Sequence, residues 1–152
     1  MSSDVHAMSR RLHPWILECL GLADAIESEC TSHAETGGIE ICFSHDGPAA
    51  TLPEDAALCL YRIIQEGLRN LVKHSETKRA AVDLSVSDSD VVLTIRDHGV
   101  GFDPDARSGA PGLGLTAMAE RAQLCGGDLI IHSAPGAGTV ITARLPLPLP
   151  GS

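Results

Sequence analysis

The clearest pattern of apolar and polar positions lies near the middle of the chain, between residues 53 and 74. On a helix that turns about 100° per residue, the apolar side chains share one broad face, made up of Ala57, Leu60, Tyr61, Ile64, Leu68 and Leu71. Thr51 is a candidate N-cap, and Glu54 follows it at the spacing of a capping box. The pattern predicts an amphipathic helix from about Pro53 to His74, with Gly67 inside it at a cost of about 1 kcal/mol relative to alanine.

Alternating apolar and polar positions predict strands on both sides of this helix. The predicted strands are Ile39–Ser44, Ala81–Ser87, Val91–Asp97, Leu129–Ser133 and Thr139–Leu145. Short turns join the second strand to the third and the fourth to the fifth, which is typical of hairpins. We expect Ile39–Ser44 to lie at an edge of the sheet.

Two further long helices are predicted, each ended by a pair of glycines. One runs from about Ile16 to Ala34 before Gly37-Gly38, and the other from Leu113 to about Cys125 before Gly126-Gly127. The first has Leu17, Leu20, Ala25 and Ile26 as core candidates. A short helix is expected over residues 4–12 and a short polar loop over 102–111, and the closing segment Leu145–Pro150 is expected to leave the sheet as a tail because proline cannot donate to a ladder.

Composition limits the classes of protein that remain. A chain of 152 residues suits one domain, and 11 basic against 20 acidic side chains argue against nucleic acid or an anionic membrane as the main partner. The five cysteines show no C-x-x-C spacing, which indicates small buried thiols in a reducing, cytoplasmic setting. No long apolar run is present, so we expect no direct membrane contact, and any membrane anchor would belong to another part of a parent protein.

Two groups of polar residues are candidates for chemistry. Glu66, Asn70, Lys73 and His74 share the polar face of the central helix, although a solvated stripe is the usual explanation for such a face. Asp97 follows Val91, Leu93 and Ile95 on the core face of its strand, where an acid without a partner is costly. The alternative is that Asp97 only begins an Asx turn into Gly99.

Three blocks occur in order along the chain, with strands between them: Glu66-x-x-x-Asn70, Asp97-x-Gly99-x-Gly101, and Gly112-Leu113-Gly114-Leu115. Together they resemble the N, G1 and G2 boxes of the gyrase- and histidine-kinase-like (GHKL) ATPases. The residues within the blocks are most similar to those of sensor histidine kinases of the NarL/DesK type. The resemblance implies the Bergerat ATP-binding fold, a two-layer α/β sandwich whose mixed, mostly antiparallel sheet carries helices on one face. It also implies that residues 1–13 end a dimerisation helix, that 14–147 form an ATP-binding catalytic domain, and that 148–152 are a tail.

The resemblance implies ATP and Mg²⁺ as cofactors and a role for each block. Asp97 would accept a hydrogen bond from the adenine amino group, Gly99 and Gly101 would admit the base closely, and Thr139 would close the adenine site. Asn70 would bind Mg²⁺, and Glu66 would act as a general base or a water-orienting carboxylate. The phosphates would meet Lys73, His74, Gly112, Leu113, Gly114 and Leu115, although His74 is equally explained as a residue of the helix end.

The implied function is the catalytic domain of a two-component sensor histidine kinase. It would supply the γ-phosphoryl group to a histidine on a separate dimerisation domain, and indirectly to a response regulator. We expect the isolated chain not to label itself, since its only histidine followed by an acid, His45, lies at a strand end. The alternative is a non-catalytic nucleotide-binding switch or an anti-sigma-like regulator of the same fold, against which Glu66, Asn70 and the segment Met118–Arg121 argue. A P-loop and an H-E-x-x-H zinc motif are both absent from the sequence.

Overall fold

A five-stranded sheet forms one layer of the protein, in the order β1-β2-β3-β5-β4. The computed structural model describes residues 15–47, 52–74, 76–101 and 115–147, with the backbone alone for residues 15–20. The strands are β1 (Glu40–Asp46), β2 (Arg79–Val86), β3 (Asp90–Asp97), β4 (Asp128–Ser133) and β5 (Thr139–Pro146). β1 pairs in parallel with β2, and the remaining pairs are antiparallel. The mixed, mostly antiparallel sheet and the edge position of β1 are therefore confirmed.

The helices are α1 (Trp15–Gly37), α2 (Glu54–His74) and α3 (Leu115–Leu124). α2 begins one residue after the predicted start and ends at the predicted residue. α1 is not one continuous helix, because Gly21 has φ 82° and ψ 171° and kinks it. Glycine reaches such a conformation without the steric cost of a side chain.

The second layer is made by the helices, which cover one face of the sheet. Alternate residues of β3 are buried, and its partner β5 places Ile141 beside Ile95 and Ala143 beside Leu93 on the same face. From α2, the side chains of Leu60, Ile64 and Leu68 are completely buried, so the predicted apolar face of the helix is its core face. Ala25 and Ile26 of α1 are also completely buried, as predicted.

Gly67 marks the place where α2 comes closest to the sheet. A Cβ atom added at Gly67 would lie 2.5 Å from Cδ1 of Ile95 in β3. This contact explains a glycine in the middle of a helix, where alanine has the higher helix propensity. Close packing was the explanation that the sequence suggested, and it is confirmed.

Some expectations are corrected or fall outside the described residues. Cys30 and Cys59 are buried, but Cys42 is exposed, because it lies on the open face of the edge strand β1. β5 extends to Pro146, whose ring ends the strand, so the chain leaves the sheet one residue later than predicted. Several predicted features lie outside the described residues: the short helix over 4–12, the loop over 102–111, the tail over 148–152 and the side chains of Leu17 and Leu20. Within the described ranges, each helix is too short or too polar to cross a bilayer.

Candidate functional site

The polar face of α2 carries the first group of predicted site residues. Glu66 and Asn70 are one turn apart on the helix, so their side chains lie on the same side. Lys73 and His74 occupy the last turn and are exposed. The C-terminus of a helix favours cationic side chains, so their position alone is also what helix stability predicts. The predicted grouping of these residues on one face of the helix is what the structure shows.

Asn70 differs from the rest of this face because its side chain is 8% exposed. Its Oδ1 atom is buried and receives no hydrogen bond from the residues that the structure describes, although Asn70 takes part in another interaction. A buried amide oxygen is normally satisfied, since its desolvation costs free energy. It is also a neutral, hard ligand of the kind that Mg²⁺ accepts. A role as a metal ligand therefore explains the buried Asn70 side chain better than a place on a solvent-exposed polar face.

Asp97 is buried at the end of β3, with 8% of its surface exposed. The backbone N–H of Gly99 donates to its Oδ1 over 2.8 Å, and Thr139 of β5 lies directly beside it in the sheet. Burial raises the pKa of Asp97 above its usual 3.8, while backbone hydrogen bonds from Gly99 and Thr139 and the nearby His98 act in the opposite direction. The carboxyl is buried on the core face, as the alternation predicts, and it also makes the Asx-type hydrogen bond.

The hydroxyl of Thr139 is held by a neighbour from β4. Ser133 Oγ lies 2.8 Å from Thr139 Oγ1 and donates to the backbone carbonyl of Gly138 over 3.0 Å. Either hydroxyl can be the donor in this pair, and each hydroxyl oxygen carries two lone pairs. Thr139 Oγ1 therefore keeps a lone pair and can accept a hydrogen bond from a water molecule or an amino group.

The segment after Asp97 is fitted against the turn between β4 and β5. Gly101 has φ 64°, and a Cβ atom added to it would lie 2.1 Å from the carbonyl oxygen of Ala134. Gly136 N donates to the carbonyl of Val100 over 2.6 Å, and a Cβ atom on Gly138 would lie 2.3 Å from the carbonyl oxygen of Asp97. Glycine at 101 is therefore required by the fold itself, whereas the sequence suggested only that a ligand needs the space.

The third predicted block is only partly described. Gly112, Leu113 and Gly114 lie outside the described residues. Leu115 begins α3, is half-buried and packs against the hydrophobic core. The structure thus brings Asp97, Gly99 and Thr139 together at one end of the β3–β5 pair.

Sequence reasoning missed three residues near these groups. Arg69 pairs with Glu66, and the spacing of three positions on a helix was a visible signal for it. Gly138 approaches Asp97 closely, and its place directly before Thr139 in a Gly-Ala-Gly-Thr segment was a weak signal. Ser133 bonds to Thr139 across a turn, and no local pattern in the sequence indicated this pair.

Comparison with known protein families gives the same assignment as the three blocks. A family model described as "Histidine kinase-, DNA gyrase B-, and HSP90-like ATPase" matches residues 55–149. That range contains the polar face of α2, Asp97 and Thr139. It accounts for more than half of the 152 residues.

Individual proteins show the same similarity. The sensor histidine kinase MctS of Rhizobium johnstonii is 38% identical over 145 residues, which cover 94% of this chain and 31% of MctS. The sensor histidine kinase YhcY of Bacillus subtilis is 39% identical over 145 residues, which cover 95% of this chain and 37% of YhcY. The chain therefore spans about a third of the length of the curated relatives it matches.

A solved structure shows that the fold is shared at low sequence identity. The ATP binding domain of PrrB from Mycobacterium tuberculosis superimposes with a TM-score of 0.62 at 22% identity, covering 82% of this chain and 92% of that domain. At such identity the likeness concerns the fold. It agrees with the two-layer α/β sandwich seen here.

Proposed function

Because the chain belongs to the histidine kinase-, DNA gyrase B- and HSP90-like ATPase family, we propose that it binds Mg-ATP as the catalytic domain of a sensor histidine kinase. In this role it supplies the γ-phosphoryl group to a histidine on a dimerisation domain of the parent kinase. The relatives MctS and YhcY are both named sensor histidine kinases, which supports the proposal. A response regulator is then the indirect partner, and the cytoplasm is the compartment in which both would be met.

The adenine end of the proposed site is formed by Asp97 and Thr139. A buried carboxylate is a strong acceptor, and the adenine amino group is a donor that matches it. The Thr139 hydroxyl offers a second acceptor, because its oxygen keeps a lone pair whichever partner donates in its bond with Ser133. The single observation that carries the proposal is this buried Asp97 carboxyl, beside Gly99 and Thr139 at the end of β3.

The phosphate end of the proposed site is formed by α2. The buried Asn70 Oδ1 is the proposed Mg²⁺ ligand, Lys73 supplies positive charge from the last turn of the helix, and His74 supplies an imidazole N–H as a hydrogen-bond donor. Gly112, Leu113, Gly114 and Leu115 are proposed to surround the phosphates. Bound Mg-ATP supplies the phosphoryl group. A nitrogen of the acceptor imidazole bonds to the γ-phosphorus, and the bond between that phosphorus and the bridging oxygen of ADP breaks. The electron pair of the broken bond stays on ADP. Glu66 either accepts the N–H proton that the imidazole gives up or orients the imidazole through a hydrogen bond to that N–H.

The test compares nucleotide binding with phosphoryl transfer. Calorimetry should show that the chain binds ATP in the presence of Mg²⁺ and binds GTP poorly, since guanine has a carbonyl where adenine has its amino group. Radiolabelled ATP should leave no acid-labile phosphate on the chain alone but should label a supplied dimerisation domain. Stoichiometric labelling of the chain's own histidines would contradict the proposal. Binding of ATP without transfer to any tested dimerisation domain would instead favour a non-catalytic nucleotide switch.

Glu66→Gln separates binding from transfer. Glutamine keeps the size and polarity of Glu66 but cannot take a proton, so the affinity for Mg-ATP should hardly change. The transfer rate should fall by about 10² to 10⁴ if Glu66 is the general base, and by less if it orients the acceptor. A wild-type transfer rate in this variant would remove Glu66 from the mechanism.

A further inference from the structure

The Glu66 carboxylate is held by an arginine on the same helix. Arg69 Nε donates to Glu66 Oε2 over 3.0 Å, and Arg69 Nη2 donates to Glu66 Oε1 over 2.5 Å. Each carboxylate oxygen therefore accepts one hydrogen bond from the planar guanidinium. The hydrogen bond and the negative charge of Glu66 raise the pKa of Arg69.

This pair differs from an ordinary surface ion pair. Arg79 and Glu40 approach only to 3.5 Å through a single contact, with 81% and 62% of their side chains exposed. In the α2 pair, Arg69 is 45% exposed and Glu66 is 26% exposed, and the contact is bidentate. Single exposed pairs contribute little stability, whereas a bidentate arginine also fixes the orientation of the carboxylate.

Two other cations of α2, Arg62 and Lys73, lie along the helix from Glu66. Arg62 is one turn before Glu66 and could reach it by helical spacing, but its Nη1 donates to Gln65 over 3.0 Å. Lys73 is exposed one turn beyond Arg69. Both Glu66 oxygens accept from Arg69, and this bidentate contact fixes the orientation of the carboxylate.

We propose that Arg69 is a positioning residue for phosphoryl transfer, which orients the Glu66 carboxylate on the face of α2 that carries Asn70. This inference rests on the proposed function of Glu66. An ionised carboxylate has about four lone-pair sites, and the bidentate contact uses two of them. The others remain able to accept the N–H of the phosphoryl acceptor. In this role Arg69 acts through Glu66 and not by direct contact with the nucleotide or the acceptor.

The expected consequence is a loss of transfer rate without a loss of nucleotide affinity. When Arg69 is replaced by glutamine, the Glu66 side chain gains rotamers that point away from the acceptor, and misplacement of a reacting group costs roughly 10- to 100-fold in rate. The affinity for Mg-ATP should be unchanged within error. Lysine at 69 keeps the charge but not the planar fork, so Arg69→Lys should restore only part of the rate.

The experiment is a double-mutant cycle on the 152-residue chain with a supplied dimerisation domain as phosphoryl acceptor. Transfer rates and calorimetric Kd values for Mg-ATP are measured for Arg69→Gln, Arg69→Lys, Glu66→Gln and the Arg69→Gln/Glu66→Gln double variant. Arg144→Gln is the matched control, because it removes an arginine that pairs with Asp90 over 2.6 Å at the far end of β3 from Asp97. The control should transfer at the wild-type rate.

A second readout needs no nucleotide. In a ¹H–¹⁵N spectrum of the free chain, the Nε–H signal of Arg69 should be protected from solvent exchange by its bond to Glu66. Replacement of Glu66 by alanine should remove that protection, and Arg144→Gln should leave it unchanged. An unprotected Arg69 signal in the wild-type chain would overturn the proposal directly.

The outcomes are distinguishable. If Arg69 acts through Glu66, Arg69→Gln slows transfer in the wild-type background and has no further effect in the Glu66→Gln background. If the two effects add, or if Arg69→Gln weakens the affinity for Mg-ATP by the same factor as the rate, Arg69 acts elsewhere and the inference is wrong. If Glu66→Gln slows transfer but Arg69→Gln does not, only the inference fails. If Glu66→Gln itself has no effect, the proposed role of Glu66 fails with it.

Discussion

Asp97→Asn separates the two roles that one side chain combines in this structure. Asparagine has nearly the same shape as aspartate, and its Oδ1 can keep the 2.8 Å hydrogen bond from Gly99 N. Its NH₂ group then takes the place of the other carboxylate oxygen. An adenine amino group in the proposed site would face a second donor instead of an acceptor, while the turn into Gly99 would be unchanged.

The expected magnitude follows from the loss of a charged acceptor. A hydrogen bond to a charged group contributes about 1.5 to 3 kcal/mol, which corresponds to a loss of roughly 10- to 150-fold in affinity for ATP. Stability should behave differently. Burial raises the pKa of Asp97, so removal of the charge should favour the folded chain, whereas any loss of the hydrogen bond from the Thr139 backbone should act in the opposite direction.

The assay is calorimetric titration with Mg-ATP, paired with chemical denaturation of the same samples. Asp90→Asn is the matched control, because Asp90 begins the strand that Asp97 ends and pairs with Arg144 on the surface. The control should bind ATP as the wild type does. If Asp97→Asn also binds ATP with the wild-type Kd, Asp97 is only a turn residue and the adenine end of the proposed site is wrong.

Three further predictions concern Asn70, Gly101 and the pH dependence of stability. Asn70→Ala should lower the calorimetric affinity for ATP in the presence of Mg²⁺, and the difference from wild type should largely vanish when the metal is chelated; equal binding with metal present would exclude Asn70 as a ligand. Gly101→Ala should cost at least about 1 kcal/mol in urea denaturation without nucleotide, because φ is 64° and the new Cβ would lie 2.1 Å from Ala134 O. Since burial raises the pKa of Asp97 above 3.8, the stability contributed by this carboxyl is fully present below pH 3.8 and is lost as the pH rises through the raised folded value. The free energy of unfolding of wild type minus that of Asp97→Asn should therefore fall across that window, and a flat difference would contradict the pKa shift.

The order and type of the described helices and strands could be predicted from the sequence because each element repeats a simple period. The face of α2 that contains Leu60, Ile64 and Leu68 needed only helical geometry. The position of Asp97 on the core face needed only alternation from Val91 onwards, and alternation within β5 places Thr139 on the same face as Ile141. These are local patterns that a single sequence displays.

The rest depended on contacts between distant parts of the chain. The parallel pairing of β1 with β2 brings Cys42 beside Ala81, and no local pattern shows which strand an edge strand will join. The requirement for glycine at 101 comes from the carbonyl of Ala134, which a different hairpin supplies. The kink at Gly21 was overlooked because a single glycine is also compatible with an intact helix. The Arg69 pair could have been predicted from its spacing, but spacing alone does not show that both oxygens are engaged.

The contact between Gly67 and Ile95 makes the identities of these two residues depend on each other. The atom that stands 2.5 Å from the missing Cβ is Cδ1 of Ile95, the methyl group that distinguishes isoleucine from valine. Ile95→Val should therefore open room for Gly67→Ala, and the double variant should recover part of the roughly 1 kcal/mol of helix propensity that glycine forgoes. Within the family, chains with alanine at the position of Gly67 should carry a shorter or differently oriented side chain on the facing strand. Simultaneous replacement of Gly67 and Ile95 would then change the distance between α2 and the sheet, and with it the position of the polar side chains that α2 carries.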